Sequence, residues 1–193
     1  MTIDTKDMLK SILDSLSRID YIKPEDIPNI DLYMDQVTTF MDSHLAASKR
    51  YPDDKILTKT MINNYAKNKL LPPPTKKKYS KEHLLVMVFI YYFKGILSIT
   101  DIQALLNPIT EKYFQGDKDF NIESIYNEVF RLEKRQADSL AKDIVDKYRV
   151  SKNTFEDMEE DREFLQLFSF ICLLSFDVYM KKQLIEKLID QLP

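Results

Sequence analysis

The chain is nearly without cysteine, glycine and histidine, and it has no tryptophan: one Cys (Cys172), two Gly (Gly95, Gly116) and two His (His44, His83) in 193 residues. A single cysteine excludes a disulfide framework within the chain and any multi-cysteine zinc site. Gly-rich phosphate loops and dinucleotide fingerprints need several glycines at fixed spacing, and neither Gly95 nor Gly116 has such a partner. His44 and His83 are far apart and lack the companions of a metal or catalytic set. No general acid–base pair or activated nucleophile emerges, so no enzyme, cofactor or metal is expected. The greasiest runs, 84–93 and 164–176, fall short of the roughly 18 apolar residues a bilayer span needs. They read as core helices, and no membrane association is expected. Residues 1–10 lack the basic flank and apolar run of a secretory signal. Cys172, set in Phe170-Ile171-Cys172-Leu173-Leu174, reads as an inert buried thiol in a reducing cytoplasm.

What the chain does contain is helix-forming sequence. It is 44% hydrophobic and 31% charged, long enough to bury a proper core, and rich in Leu, Lys, Glu, Ile and Asp, which points to an all-α fold. Apolar residues at i, i+3, i+4 spacing predict helices over 7–19, 31–45, 58–69, 80–94, 102–106, 122–148 and 155–189. The second would start at Asp31 as N-cap, with Leu32, Tyr33, Val37, Phe40 and Met41 facing inward. The third would start at Thr58 or Thr60 and bury Met61, Ile62, Tyr65 and Ala66, until Pro72-Pro73-Pro74 stops it. Ser80, with His83 three residues on, opens the fourth, where His83 packs or caps; Gly95 reads as its C-cap. Asn107-Pro108 would close the fifth, and the acidic run 156–163 reads as the solvated first turn of the last.

Charge is unevenly spread. The net charge is −3, yet residues 49–81 hold ten Lys/Arg against Asp53 and Asp54, a balance of +8 that leaves −11 for the rest. Such asymmetry suits a polyanion-facing patch, although lysines can also simply solvate a loop. On the third helix Lys59, Asn63, Asn64 and Lys67 share a side, offering amides to adenine edges and ammonium groups to phosphates. The Thr-capped start suits a phosphate, and Lys76, Lys77 and Lys78 can reach a neighbouring backbone.

Residues 58–106 read TKTMINNYAKNKLLPPPTKKKYSKEHLLVMVFIYYFKGILSITDIQALL: helix, proline stop, basic turn, aromatic, capped helix, Gly-containing turn, short helix. This order resembles the winged-helix DNA-binding region of the MerR class of regulators. Thr58, Met61 and Tyr65 fall at recognition-helix positions, and Leu70-Leu71-Pro72 matches its exit. Lys76–Lys78 match the wing, Tyr79-Ser80 its return, and Gly95, Ser98, Asp101 and Ile102 the later turn and helix. Asn63 or Asn64 stands where that class has an arginine. Up to about residue 150, including Asp31-Leu32-Tyr33-Met34-Asp35-Gln36-Val37, the chain is closer to a narrower group, the bacterial YkrK-like family, catalogued as a domain of unknown function.

The resemblance implies a helical domain over 1–110, with a MerR-like winged helix-turn-helix at about 31–107, and a helical C-terminal dimerisation or packing region over 111–193. It implies a protein that binds double-stranded DNA sequence-specifically and regulates transcription, read as a repressor rather than an activator, and operator symmetry would make it a homodimer. Recognition helix 58–69 would enter the major groove and wing 75–79 would lie on the backbone. The DNA-facing residues would be Thr58, Lys59, Thr60, Asn63, Asn64, Lys67, Lys76, Lys77, Lys78, Tyr79 and Lys81, with Lys49 and Arg50 adding phosphate contacts. The alternative is a helical protein–protein adaptor whose basic stretch faces an acidic partner. The last helix begins apolar on almost every side and must be covered, either by 84–93 or by another subunit.

Overall fold

The computed structural model describes residues 10–11, 22–116 and 119–192, with the side chains of 133–138 outside that description. It is mostly helical with one two-stranded sheet among the described residues, in keeping with the all-α expectation. The elements are β1 (Leu32–Tyr33), α1 (Met34–His44), α2 (Lys59–Lys67), β2 (Lys78–Tyr79), α3 (Lys81–Phe93), α4 (Ile99–Tyr113), α5 (Ile122–Lys152) and α6 (Arg162–Ile189), with 3-10 turns at Pro24–Asp26 and Ala46–Ser48. Two compact units divide the chain, Asp20–Arg131 with Glu186–Pro193 and Met1–Ile19 with Leu132–Ile185. The expected helix over 7–19 lies outside the described residues apart from Lys10 and Ser11, which are helical.

In the first unit α3 is the central element. Eight successive residues, His83 to Ile90, are buried, as befits a helix whose apolar residues run all the way round. Val37 and Met41 of α1, Ile62 and Tyr65 of α2, Ile102 and Leu106 of α4, and Ile122, Tyr126 and Phe130 of α5 complete the core. The Phe89 ring lies 5.4 Å from Tyr126 and 5.7 Å from Phe130, and the Tyr126 hydroxyl donates to the Ile22 carbonyl at 2.6 Å. Side chains start the helices, at Thr58 as the sequence suggests. Thr58 Oγ1 accepts from the Met61 N–H at 3.2 Å, Ser98 Oγ from the Asp101 N–H at 3.1 Å, and Asn121 Oδ1 from the Glu123 N–H at 3.0 Å.

Several boundaries differ from the sequence reading. Helix α1 begins at Met34 and not at Asp31, because Leu32 and Tyr33 pair antiparallel with Tyr79 and Lys78. Gly95 is no left-handed cap: no described glycine has positive φ, and the C-cap of α3 is Lys94 in right-handed helical conformation. The short helix expected to stop at Asn107 runs on through Pro108 to Tyr113. Proline there costs the bond to the Ala104 carbonyl, but Ala104 and Pro108 both face solvent, where water can donate to that carbonyl instead.

In the second unit the last helix starts at Arg162, not Phe155. Phe155 and Asp161 have positive φ and bracket a turn that holds the acidic run. Nor is this helix a core helix: Phe164, Phe168, Ile171 and Phe176 are exposed, and so is Cys172. By length and composition alone α6 could cross a membrane, with only 11% of its apolar window buried. Its one buried side meets α5, where Ile144 and Phe170 pack with Tyr148, Leu167 and Leu174.

The end of α2 is a Schellman motif. The Leu70 N–H bonds to the Tyr65 carbonyl at 2.9 Å and the Lys69 N–H to the Ala66 carbonyl at 3.2 Å, while Leu70 and Leu71 are buried. Its left-handed residue is Lys69, φ 58°, where glycine is the usual occupant and an L side chain costs about 1–2 kcal/mol. Lys69→Gly is therefore expected to raise stability, by about 0.5–1 kcal/mol once the freer unfolded glycine is discounted. Urea denaturation checks this; a lower midpoint contradicts the motif.

Candidate nucleic-acid interface

The basic segment folds into two exposed features on one frame. The first is the outer side of α2. Ile62 and Tyr65 fix its inner side in the core, so Lys59, Thr60, Asn63, Asn64 and Lys67, on the other side, are exposed. Its C-terminal end is held from α4, where Gln103 Nε2 donates to the Asn68 carbonyl. The second is a ribbon. Thr75 and Lys78 exchange both backbone hydrogen bonds, at 3.1 and 3.0 Å, around a two-residue turn of Lys76 (φ 51°) and Lys77 (φ 64°). On its other side Lys78 and Tyr79 pair with β1.

That register decides which side chains a partner can meet. Leu32 and Tyr79 turn inward and Tyr33 and Lys78 outward, since strand neighbours alternate. Tyr79, expected among the DNA-facing residues, is only 3% exposed; it anchors the ribbon, and burial pushes its phenol pKa up. Lys81, also expected among those residues, is half-buried and binds Glu123 at 2.9 Å, which ties α3 to α5. Thr58 serves α2 as its cap. Lys59 is ion-paired with Asp35 and Lys49 with Asp42 (2.8 Å), pairs that are weak where exposed. Arg50 lies 5.2 Å from the centre of the Tyr51 ring. Lys76 and Lys77 are exposed at the tip, with neither hydrogen bond nor ion pair among the described residues.

Tyr33 is the surface residue that the helical reading of 31–45 hides. It is 54% exposed, with Lys78 Nζ 5.0 Å from its ring centre, and together they form a flat aromatic face edged by a cation. The matching inward–outward order of Leu32-Tyr33 and Lys78-Tyr79 was the available signal.

His83 holds both feet of the ribbon. Its Nδ1 accepts from the Ser80 N–H at 2.9 Å, so the ring proton sits on Nε2, which faces the Pro73 carbonyl at 3.4 Å. Tyr79 and Phe114 lie edge-on to the ring at 5.5 and 4.7 Å. The ring is buried, and desolvation lowers its pKa below the ordinary 6.5 against the smaller opposing pull of the Pro73 carbonyl.

A family model described as Domain of unknown function (DUF1836) matches residues 22–129. The chain belongs to that family. No curated protein and no solved structure matches it. The DUF1836 match takes in β1, β2, α1 to α4 and the start of α5, and therefore the whole of the exposed basic surface.

The His83 geometry sets a pH dependence for this DUF1836 domain. The folded state holds the ring neutral while the unfolded chain protonates near 6.5, so the unfolded state binds more protons below that pH. The contribution is present above about pH 6.5 and is lost as pH falls toward the lower folded value. Wild type is expected to lose stability between pH 7.5 and 5.5 faster than His83→Gln, which keeps a capping acceptor but does not titrate. Parallel stability–pH curves would show that the ring is not held neutral.

Proposed function

We propose that the DUF1836 domain is a cytoplasmic, non-enzymatic module that binds double-stranded DNA sequence-specifically and regulates transcription, most simply by repression. In this reading α1 and α2 serve as a helix-turn-helix and the ribbon as its wing, as in the MerR class, and the narrower likeness is to the YkrK-like group. Helix α2 enters the major groove. Asn63 and Asn64 offer the paired donor and acceptor that an adenine edge takes, while Thr60 and Lys67 flank them. Lys76 and Lys77 contact the phosphate backbone or an adjacent groove, and Tyr33 with Lys78 lies on a sugar–phosphate wall.

One observation carries this reading: the conformation of the ribbon tip. A two-residue turn with positive φ at both positions takes Asn-Gly at least cost, and L side chains there cost about 1–2 kcal/mol each. The domain has Lys-Lys, both left-handed, both exposed. The fold gains nothing from those side chains, so strain kept at this point signals a task outside the fold. Two ammonium groups held forward on a rigid turn fit a polyanion.

The Lys76→Asn/Lys77→Gly variant separates fold from function. It is expected to be more stable than wild type, by about 1 kcal/mol or more. For a duplex library, wild-type log K should fall with log salt at about −0.9 per phosphate contact; the variant should lose about two contacts' worth of slope and on the order of tenfold in affinity. Enriched duplexes then identify the site. A wild type that ignores duplex DNA at low salt, or a variant that binds equally well, sinks the reading and favours an acidic protein partner.

A further inference from the structure

The bond by which His83 holds the ribbon exists only in the neutral ring. Nδ1 accepts from the Ser80 N–H at 2.9 Å, whereas an imidazolium has a donor at both nitrogens and no acceptor. A protonated Nδ1 could turn its hydrogen to Ser80 Oγ, also at 2.9 Å, but the Ser80 N–H would then face it donor to donor. The ring is 4% exposed, yet it forms a wall of two adjoining hollows that reach the surface. One, of about 450 Å³, lies beside Pro73, Glu111 and Gln115. The other, of about 190 Å³, lies beside Asp31, Lys78 and Glu82. A proton can reach His83, and there is room for the ring to move.

We propose that His83 is an acid-operated latch: protonation turns the ring out of its seat into the hollows and frees the ribbon 75–79 while α3 stays folded. The charges around the ring favour that second position. Asp31 ahead of β1, Glu82 of α3 and Glu111 of α4 stand on the hollow walls against one cation, Lys78 of β2. The three carboxylates are outside every ion pair among the described residues. Lys81, next along α3, is drawn off to Glu123, and the Tyr79 phenol stays protonated. In its seat the ring is kept neutral by desolvation, against the pull of the Pro73 carbonyl, Glu82 and Asp31. In the hollows that penalty is relieved and the carboxylates are still at hand, so a charged ring has a differential reason to move.

The ribbon has little else to hold it. Its departure would orphan the Ser80 N–H and unseat the edge-on contact with Tyr79, the buried residue that anchors β2. The pairing with β1 is two residues long, and the tip is strained at Lys76 and Lys77. A short, strained element opens ahead of a core helix buried on every side. The latch rests on the fold alone; that opening weakens a DNA contact rests on the proposed function.

Amide hydrogen exchange of the full chain, corrected for the intrinsic pH dependence of exchange, reads the latch without DNA. From pH 7.5 to 5.5 the Thr75, Lys78 and Ser80 amides are expected to lose protection several-fold. The ceiling is about tenfold for one histidine that titrates near 6.5 once released. The amides of Leu85 to Ile90 should keep their protection, and His83→Gln, which retains an acceptor and does not titrate, should show no loss at the ribbon. Should that variant fail to fold, ring 15N NMR of His44→Gln decides, because His83 is then the sole histidine. Its ring signal must titrate together with the Thr75 and Lys78 amide shifts. An equal loss in α3 overturns the proposal, since only global unfolding would be at work. So does a ribbon unchanged by acid, an equal loss in His83→Gln, or a ring that titrates without the ribbon. Failure to bind duplex DNA would leave these amides unaffected, so the two readings fail separately.

Discussion

The first unit depends on burying α3 on every side. Leu84, Leu85, Val86, Met87, Val88 and Ile90 are each at most 1% exposed, and full burial of such side chains is worth roughly 1.5–3 kcal/mol apiece. One packing partner can cover only one stripe of a helix, so neighbours must close around it. Phe89 and Tyr92 reach α5. At the far end of α3, Lys94 Nζ donates to the Ile56 carbonyl at 2.7 Å, just ahead of the Thr58 cap. At its start Ser80 and His83 take the ribbon. Both exposed basic features are thus hung from the two ends of one buried rod.

That frame explains why strain survives where it does. Among the described residues outside the α5–α6 link, the positive-φ residues are Lys69, Lys76 and Lys77, all lysines of the basic segment. A left-handed lysine persists only where its surroundings over-determine it. Leu70 and Leu71 lock the first from below; the Thr75–Lys78 bonds and the His83 bridge lock the other two. Under the proposed reading the core supplies stability that the surface gives up for charge at fixed positions.

The sequence made the helices of this frame readable and left the ribbon hidden. Helices α1, α2 and α3 announce themselves by spacing and caps: Thr58 and Ser80–His83 act where expected, while α2 ends ahead of the three prolines, at the Schellman turn of Lys69. Strand β1 is two residues long, and its partner Tyr79 lies 47 residues away, so no local signal separates it from the first turn of α1. Helical spacing therefore puts Tyr33 inside and Tyr79 outside, the reverse of the structure. Pro108 misleads because its effect depends on which way the Ala104 carbonyl faces, a tertiary fact. Cys172 and the apolar run around it read as core because hydrophobicity marks what must be covered and is silent on what covers it.

The surface available to α2 argues that one copy is not enough for the proposed function. Helix α2 has nine residues, and the ribbon adds a two-residue tip. Single DNA-binding modules bury roughly 600–1,000 Å² of protein, while specific complexes run to about 1,000–2,500 Å². Four amide and ammonium side chains on one short helix can read only a few base pairs, and phosphate contacts add affinity without sequence information. Doubling the surface through a symmetric partner turns the second contact into an intramolecular event and lets a few base pairs be read twice. The exposed apolar side chains of α6 lie outside the basic segment, so a partner seated on them would not draw on the residues that would touch DNA. Under the proposed reading the +8 segment would face the duplex, with the acidic run that makes the whole chain net negative lying far from it in sequence.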